Sequence, residues 1–318
     1  MKKYTLLALG PATPETDAAW LKSPRIVRVF RHRRAAINGK RFGSRLFGIG
    51  LDSLVLALKT FQPSIKGPYL ANNPWIGAAL RLTGRSDFVV TGIYAEPSSR
   101  SWRVLRMLVG NAHVIALSKS ETVPWNSAGG RAQAVLYGNT FGYPPRSESD
   151  HFHVFVGGTS DRDPRVMEQL EAEVLTSEEP VRLTLATGER GEEKRHGSNV
   201  VCRPGYLKKE EFGELLSTAS VVFLPISQGT RAAGHMVLVG ALESGIPVMI
   251  TSSEGMREYA TGPFIAVCDS GQPILPQLRT LGHREVSADM IHRYWHDNFS
   301  LESYVRRVTG VLNAGKPE

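Results

Sequence analysis

Short apolar runs alternate with longer amphipathic segments along almost the whole chain. Short apolar runs bounded by turn residues are typical of buried strands, whereas apolar residues that recur every three or four positions are typical of helices. Strands that alternate with helices form parallel sheets, because two parallel strands need a long crossover connection. The alternation therefore predicts an α/β architecture.

The same pattern places the individual elements. In the first half the predicted strands cover residues 4–9, 26–30, 68–71, 88–93, 114–117 and 132–137, and the predicted helices cover 51–61, 75–82 and 101–108. In the second half the predicted strands cover 152–156, 181–186, 199–203, 220–225, 247–251 and 264–267, and the helices 163–175, 209–218, 235–243 and 288–311. Residues 142–150 contain two prolines and no periodicity, which indicates a linker, and the charged stretch 189–196 is predicted as a solvated loop.

A boundary near Ser147 separates a basic part of the chain from an acidic part. Residues 1–147 contain 21 Lys and Arg against 6 Asp and Glu, whereas residues 148–318 contain 17 against 24. Because 318 residues exceed a comfortable single core, two domains of about 150 residues are expected. We therefore predict two Rossmann-like, doubly wound domains, 1–147 and 148–318, facing a cleft where such folds bind ligands. The C-terminal helix is able to pack back on the first domain.

Cysteine usage and hydropathy indicate the compartment. Cys202 and Cys268 form neither a disulfide framework nor a metal-type spacing, which is typical of a reducing environment. No apolar run approaches the roughly 18 residues of a membrane-spanning helix. The apolar stretch at 4–9 is interpreted as a first strand rather than an export signal. We expect a cytoplasmic protein.

Residues 221–259 carry the strongest chemical signal. A buried strand ends at Pro225, a loop of small residues follows, and a helix begins near Gly234 and ends at Gly245. A small-residue loop that opens a helix presents backbone N–H groups and the positive end of the helix dipole, which suits a diphosphate. Arg231 adds a fixed positive charge to this loop.

This segment resembles the donor-binding segment of GT-B glycosyltransferases, within the glycosyltransferase 4-like or "glycosyl transferases group 1" superfamily. Ala232-Ala233-Gly234-His235 is similar to the Ser-Ala-Gly-Gln of one subgroup, and Gly255-Met256-Arg257-Glu258-Tyr259 is similar to its Gly-x-Arg-Glu-Tyr. The resemblance implies a two-lobed enzyme that transfers sugar from a nucleotide-sugar donor, with no cofactor and no bound metal. It implies donor contacts from Arg231, Gly234, His235 and Glu258.

The chain departs from the commonest family pattern in one respect. Many retaining members carry two glutamates eight positions apart across this helix, and here Ala232 and Gly240 occupy those positions. Retention of the anomeric configuration is therefore not implied. Glu243 and Glu258 are the nearby carboxylates, of which Glu258 matches the family position better.

Two further segments resemble the donor domain of the same family. Gly157 and Gly158 let the backbone approach a ligand closely, and Arg162 is predicted to pair with a pyrophosphate. A tight turn with a surface arginine is the alternative. Asp161-Arg162-Asp163 also matches the Asp-x-Asp metal signature of the other main glycosyltransferase fold, but the longer resemblance favours the metal-independent fold. Tyr206 is interpreted either as a nucleobase-stacking ring or as a packing residue.

The acceptor side is less specified. Glu96, after the strand predicted at 88–93, is the candidate general base that deprotonates an acceptor hydroxyl, and Asp17 and His32 compete for this role. Asp17 belongs to the loop 10–17 through which the resemblance implies acceptor entry. Surface or capping roles are the alternative for all three residues.

The basic domain suggests an anionic partner. Nine Lys and Arg lie between Lys22 and Arg45, interleaved with Phe30, Phe42 and Phe47. They predict either peripheral docking on an anionic membrane surface or attraction of a soluble, negatively charged acceptor. The acceptor itself, whether saccharide, lipid-linked or natural product, is not specified.

Three other functions compete with this prediction. A catalytically silent relative that only binds nucleotide sugar is kept, because the glutamate pair is missing. A basic nucleic-acid-binding protein is disfavoured, because no recognition signature accompanies the charge. A nicotinamide-dependent oxidoreductase is disfavoured, because neither Gly10-Pro11 nor Gly157-Gly158 has the required glycine spacing. We expect no nucleic-acid partner.

Overall fold

The computed structural model describes residues 2–10, 13–32, 42–97, 99–147 and 149–313, with the backbone alone for 42–47. The chain divides into two compact units. The first unit comprises Met1–Leu136 and Tyr304–Glu318, and the second comprises Tyr137–Ser303.

The first unit contains a parallel sheet with helical crossovers. Its strands are β1 Tyr4–Leu9, β2 Ile26–His32, β3 Tyr69–Ala71, β4 Phe88–Thr91, β5 His113–Ala116 and β6 Arg131–Ala134. The helices between them are α1 Pro14–Leu21, α2 Phe42–Lys59, α3 Pro74–Leu82, α4 Arg100–Val109 and α5 Lys119–Ser127. The strand order is β2-β1-β3-β4-β5-β6, and every neighbouring pair is parallel.

Local sequence explains where these helices begin. The Asn73 side chain accepts a hydrogen bond from the Trp75 N–H at 2.8 Å, and Pro74 occupies the first helical position of α3. Ser118 and Glu121 form a reciprocal capping box at α5. The core packs the inner sheet face on these helices through Leu7, Ile76 and Val90.

The second unit is built on the same plan with one added edge strand. Its strands are β7 Phe152–Gly157, β8 Val181–Ala186, β9 Lys194–His196, β10 Asn199–Cys202, β11 Val221–Leu224, β12 Val248–Ile250 and β13 Ile265–Val267. The helices are α6 Pro164–Leu175, α7 Lys209–Ser217, α8 His235–Glu243, α9 Ile274–Gly282, α10 Ala288–Phe299 and α11 Leu301–Asn313, with single 3₁₀ turns at Glu254–Met256 and Tyr259–Thr261. The strand order is β13-β12-β11-β7-β8-β10-β9, and only β9 runs antiparallel to its neighbour.

The last helix begins in the second unit and ends in the first. From Tyr304 onward α11 belongs to the first unit, where the Tyr304 ring meets Trp20 edge-on at 6.1 Å between centroids. Arg307 donates to the Leu136 carbonyl oxygen at 3.0 Å, and Arg25 donates to the Asn313 side chain. The terminal helix is therefore part of the core of the first unit.

The segment after Tyr137 is tied to the second unit. The Phe141 and Gly142 N–H groups donate to the Glu243 carboxylate at 2.8 and 2.7 Å. The Ser147 N–H donates to the Ser217 carbonyl oxygen at 2.9 Å. The stretch that the sequence predicted as a linker is thus fixed by hydrogen bonds over residues 141–147.

The predicted α/β fold with two Rossmann-like sheets is confirmed, and several element predictions need correction. The loop predicted over 10–17 is wrong from Pro14 onward, because α1 begins there with Thr13 as its cap. The charged stretch 189–196 contains strand β9, which forms a hairpin with β10. The helix predicted over 288–311 is interrupted at Ser300, whose backbone is extended.

Helices α5 and α9 were not predicted. Both contain or adjoin proline, at Pro124 and Pro273, and proline is an unfavourable residue inside a helix. Within the described ranges, no helix has both the length and the apolar character that crossing a bilayer requires.

Candidate functional site

Three loops meet at the carboxyl edge of the second sheet. They follow β7, β11 and β12, which are neighbours in the sheet. The Ser227 N–H donates to the Asp161 carbonyl oxygen at 2.9 Å, and the Asp163 N–H donates to the Pro225 carbonyl oxygen at 2.8 Å. The Thr251 hydroxyl accepts from the Ile226 N–H at 2.7 Å and donates to the Ile226 carbonyl oxygen at 2.8 Å. These bonds join the loops into one surface at the position where doubly wound sheets bind ligands.

Arg162 organises the loop after β7. Its Nε donates to the Gly157 carbonyl oxygen at 2.9 Å, and its Nη1 donates to the Ser160 carbonyl oxygen at 2.8 Å. Gly158 has φ +89°, and a Cβ there would lie 2.4 Å from Arg162 Nη2. Burial lowers the pKa of the Arg162 guanidinium to about 10, and the Asp161 carboxylate opposes this shift. Gly158 is required because the guanidinium lies against it, whereas a Cβ at Gly157 would lie 2.7 Å from the Phe155 and Phe212 rings.

Arg231 connects the loop after β11 with the loop after β7. Its Nη1 lies 3.3 Å from Asp161 Oδ2, and both side chains are partly exposed. Asp163 instead caps α6, where its Oδ1 accepts from the Arg165 N–H at 3.0 Å. The two carboxylates of the Asp-x-Asp sequence therefore have different protein partners. Over the described part of the chain, no three His, Cys, Asp or Glu side chains cluster as metal ligands do.

The start of α8 presents backbone N–H groups. Gly234 precedes the helix with φ +84°, and no side chain caps this helix end. A Cβ at Gly234 would lie 2.8 Å from Ile226 Cδ1, so the glycine also allows the loop to pack closely. The N-terminal N–H groups and the helix dipole favour an anion at this point.

His235 is a neutral imidazole at the first position of α8. Its Nδ1 lies in hydrogen-bond contact with the Ala232 carbonyl oxygen, which only accepts, so Nδ1 carries the proton and Nε2 the lone pair. The Tyr137 ring meets the imidazole edge-on at 4.8 Å between centroids. Burial lowers the pKa of His235 to about 4, and the nearby Arg231 and Arg162 charges act in the same direction.

Gly255 fits the loop after β12 against the loop after β11. Its N–H donates to the Gly229 carbonyl oxygen at 3.0 Å, and a Cβ would lie only 1.9 Å from the Arg231 carbonyl oxygen. Glu258 follows at the start of the second 3₁₀ turn and is partly buried. The buried Tyr259 hydroxyl accepts from the Tyr137 N–H at 2.9 Å. Two residues of the motif similar to Gly-x-Arg-Glu-Tyr, Gly255 and Tyr259, therefore have structural roles. Glu258, a third residue of this motif, remains a predicted ligand contact.

Tyr206 lies in the loop after β10 and is 80% exposed. The interpretation of this ring as a packing residue is therefore wrong. Stacking on a nucleobase remains a prediction.

Positions 232 and 240, where many retaining members of the family carry glutamates, are both enclosed by the protein. Ala232 is buried, and a Cβ at Gly240 would lie 2.7 Å from the Tyr143 ring. Glu243 is also buried, and it accepts the two N–H groups of Phe141 and Gly142. Burial raises the pKa of Glu243, and these two hydrogen bonds oppose the shift. Glu243 therefore holds the segment 141–142, a role that the sequence did not predict.

The candidate bases lie in the first unit. Glu96 follows β4, beyond Gly92 and Tyr94, which have φ +75° and +54°, and its carbonyl oxygen accepts from the Ser99 hydroxyl at 2.7 Å. The Asp17 carboxylate on α1 lies 2.7 Å from the Arg31 guanidinium. His32 is the last residue of β2, and its Nε2 lies 3.6 Å from Asp52 Oδ1. All three follow or end parallel strands of one sheet.

The basic segment is only partly described. Arg33, Arg34, Lys40, Arg41 and the side chains of Arg45, Phe42 and Phe47 lie outside the described residues. Arg25 is buried and donates to the Lys2 carbonyl oxygen at 2.9 Å, so it does not belong to a basic surface. Arg28 is exposed but donates to the Ser64 carbonyl oxygen, and Arg31 pairs with Asp17.

Solved structures match this architecture over its full length. A sucrose-phosphate synthase from Thermosynechococcus elongatus is 13% identical with a TM-score of 0.65, and the match covers 99% of each chain. The HepE protein of Anabaena, solved in complex with UDP and glucose, is 15% identical with a TM-score of 0.63, over 99% of this chain and 100% of HepE. A glycosyltransferase from Rickettsia africae is 11% identical with a TM-score of 0.61, over 100% of both chains. No protein-family model matches the chain, and no curated protein matches it significantly.

At these identities the likeness shows the fold. The chain has the GT-B fold, with two Rossmann-like α/β units, and the resemblance to GT-B glycosyltransferases is confirmed at the level of the fold.

Proposed function

We propose that this protein is a glycosyltransferase that takes a sugar from a nucleotide-sugar donor and transfers it to an acceptor hydroxyl without a metal ion. The observation that carries the proposal is the hydrogen-bonded surface of three loops at the carboxyl edge of the second sheet. It combines the glycines at 157–158, the N-terminus of α8 without a side-chain cap, and Arg231. The structure of HepE with UDP and glucose supports a nucleotide-sugar ligand for this fold.

In this proposal the diphosphate of the donor binds at the start of α8. Backbone N–H groups and the helix dipole stabilise its negative charge, and Arg231 exchanges its Asp161 partner for a phosphate oxygen. Tyr206 stacks on the base, and His235 and Glu258 contact the sugar or the phosphates. Negative charge on the diphosphate grows as its bond to the anomeric carbon breaks. Hydrogen-bond donors at the start of α8 therefore stabilise the transition state more than the ground state.

Glu96 is the proposed general base. It accepts the proton of the acceptor hydroxyl while the acceptor oxygen bonds to the anomeric carbon and the bond from that carbon to the diphosphate breaks. Asp17 is the second choice, because its carboxylate is paired with Arg31. This role for Glu96 belongs to an inverting reaction, and the absence of the glutamate pair at 232 and 240 is compatible with one.

A thermal-shift panel tests donor binding. UDP, GDP, ADP and dTDP are added to the full chain with EDTA and, separately, with Mg²⁺. At least one nucleoside diphosphate should raise the melting temperature equally in both conditions, since a ligand at one hundred times its Kd stabilises the folded state by about 2.7 kcal/mol. The variant Arg231→Ala should lose most of the shift, and Arg293→Ala, an exposed arginine on α10, should keep it. Stabilisation that requires Mg²⁺ would contradict metal independence.

A turnover assay then separates an enzyme from a silent relative. The nucleotide sugar of the stabilising base is incubated with saccharide and lipid-linked acceptors, and released nucleoside diphosphate is measured. Release that depends on acceptor supports transfer. Binding without any release over the whole panel would assign the chain to the silent class.

A further inference from the structure

Helix α2 carries an exposed apolar stripe. Leu51, Leu54 and Leu58, followed by Phe61 just beyond the helix, are spaced three, four and three residues apart and so lie on one face. Their exposed fractions are 53%, 37%, 52% and 59%. A solvent-facing helix surface is normally polar, and an apolar row of this length is typical of an interaction surface.

The helix is fixed to the first unit by its other side. Ser53, Leu56, Ala57 and Thr60 are buried, and α2 packs on α3. The apolar stripe therefore does not belong to the core of the unit.

Positive charge borders the stripe. The Arg85 guanidinium lies 4.2 Å from the centroid of the Phe61 ring and donates to the Thr60 carbonyl oxygen at 2.9 Å. Lys66 is exposed, whereas Lys59 in the last turn of α2 is half-buried, with its Nζ 3.4 Å from His32 Nδ1. Residues 42–86 contain five Lys and Arg against a single acidic residue, Asp52, which lies near His32.

Exposed apolar side chains and positive charge are concentrated in the same unit. Of the fifteen large apolar residues that are exposed in the described chain, eleven belong to the first unit. That unit also contains most of the excess of Lys and Arg. Binding to a protein of ordinary composition does not require exposed apolar side chains and positive charge in the same unit, whereas binding to an anionic lipid surface requires both.

We propose that the α2 stripe docks on an anionic lipid surface. The three leucines and Phe61 enter the boundary between headgroups and acyl chains, and Lys66 and Arg85 contact the lipid phosphates. The helix lies in the plane of the interface. This surface goes beyond the proposed transferase activity and does not depend on the donor site. It also differs from the docking segment 22–45 that the sequence indicated.

Vesicle sedimentation with matched variants tests the proposal. The full chain is mixed with phosphatidylcholine vesicles and with vesicles of equal phosphatidylcholine and phosphatidylglycerol, each at 50 and 500 mM salt. We expect sedimentation with the anionic vesicles at low salt and a loss of at least fivefold in the bound fraction at high salt. The double variant Leu51→Gln, Leu58→Gln should lower the partition coefficient at least tenfold. Met290→Gln, at a residue of the second unit that is 53% exposed, should change it less than twofold.

Circular dichroism confirms that each variant is folded before it is compared. The proposal is overturned if the wild-type chain stays in the supernatant with anionic vesicles at low salt. It is equally overturned if the double variant binds as well as the wild type, because another part of the basic unit then makes the contact. A wild-type dimer that the double variant converts to a monomer, without vesicle binding, would assign the stripe to a second copy of the chain.

Discussion

At the scale of single residues, the two arginines of the candidate site have different surroundings. Arg162 donates to two carbonyl oxygens of its own loop, whereas Arg231 makes a partly exposed ion pair with Asp161. The sequence predicted the same role, a diphosphate contact, for both residues. In the structure, Arg162 stabilises the conformation of its own loop. Arg231 pairs with Asp161, a partner that a phosphate group is able to replace.

This difference predicts that two alanine substitutions change the stability of the ligand-free protein by unequal amounts. Arg162→Ala should lower the free energy of unfolding by about 1–3 kcal/mol, because the carbonyl oxygen of the buried Gly157 loses its donor. Arg231→Ala should change it by less than about 1 kcal/mol, as expected for a partly exposed ion pair. Urea unfolding measures both, and equal destabilisation would contradict the structural role of Arg162. In ligand titrations Arg231→Ala should weaken nucleoside diphosphate binding by roughly 1.5–3 kcal/mol.

Glu96 offers a test of catalysis that leaves donor binding intact. Glu96→Gln preserves the size of the side chain but removes its basicity, so turnover should fall by a factor on the order of 10² to 10⁴. The affinity for nucleoside diphosphate, measured by calorimetry, should stay at the wild-type value. A Gln variant with wild-type turnover would exclude Glu96 and direct the same test to Asp17.

His153 predicts a loss of stability in acid. It is fully buried on β7 between the hydroxyls of Thr184 and Thr218, at 2.9 and 3.0 Å, and burial lowers its pKa to about 4. The unfolded chain, with a histidine pKa of about 6.5, binds this proton first as the pH falls. Stability that is complete above pH 6.5 is therefore lost between pH 6.5 and 4, by about 2 kcal/mol at pH 5.

Urea unfolding at pH 7.5 and pH 5 measures this loss in the wild type and in His153→Gln. The free energy of unfolding of the variant at pH 7.5 measures the effect of replacing His153 by Gln at a pH where His153 is neutral. Between pH 7.5 and pH 5, the variant should then lose about 2 kcal/mol less of its free energy of unfolding than the wild type loses. An unchanged pH dependence would mean that His153 does not titrate in this range.

At the scale of elements, the interior glycines of α8 and α11 have different surroundings. Gly240 in α8 faces the Tyr143 ring, which stacks on Phe141 at 5.0 Å between centroids. Gly310 in α11 is exposed, and nothing lies within 4 Å of the position of a Cβ. The first glycine is required by packing, whereas the second only weakens its helix.

Substitution by alanine should consequently have opposite signs in the two helices. Gly240→Ala places a Cβ 2.7 Å from the Tyr143 ring and should destabilise the protein by about 1–3 kcal/mol, as overpacking does. Gly310→Ala should stabilise it by about 0.5–1 kcal/mol through helix propensity. Chemical denaturation of both variants checks the signs, and stabilisation by Gly240→Ala would show that the Tyr143 ring moves aside without cost.

At the scale of the whole molecule, the first unit is completed by the end of the chain. Five hydrophobic side chains of α11 beyond Ser303 are buried: Tyr304, Val305, Val308, Val311 and Leu312. Burial of a side chain of this size contributes about 1.5–3 kcal/mol. Their sum is comparable with the stability of about 5–15 kcal/mol of an ordinary domain.

A chain that ends at Ser303 should therefore fail to fold its first unit, although strands β1–β6 are all present. The reference is a chain that ends at Asn313. Limited proteolysis should degrade residues 1–136 of the shorter chain and spare a fragment that contains residues 137–303. Equal protease resistance of the two chains would show that α11 is dispensable for this unit.

The sequence alone determined the parts of this protein that depend on local composition. The strands at 4–9 and 181–186 and the helix at 235–243 were predicted with the observed ends, because each is a mostly apolar run with glycine or proline close to at least one end, and each is buried almost throughout. The glycines of the candidate site were also recognisable, since positive φ and close backbone approach leave few other residues possible.

Only the tertiary structure decided which polar groups meet. It paired Asp161 with Arg231, turned Arg162 toward its own loop, directed Glu243 to residues 141–142 and buried Arg25. It also interrupted the last helix at Ser300 and placed most of α11 in the first unit. Contacts between residues far apart in the chain leave no periodic trace in the sequence, because each is fixed by the packing of whole elements.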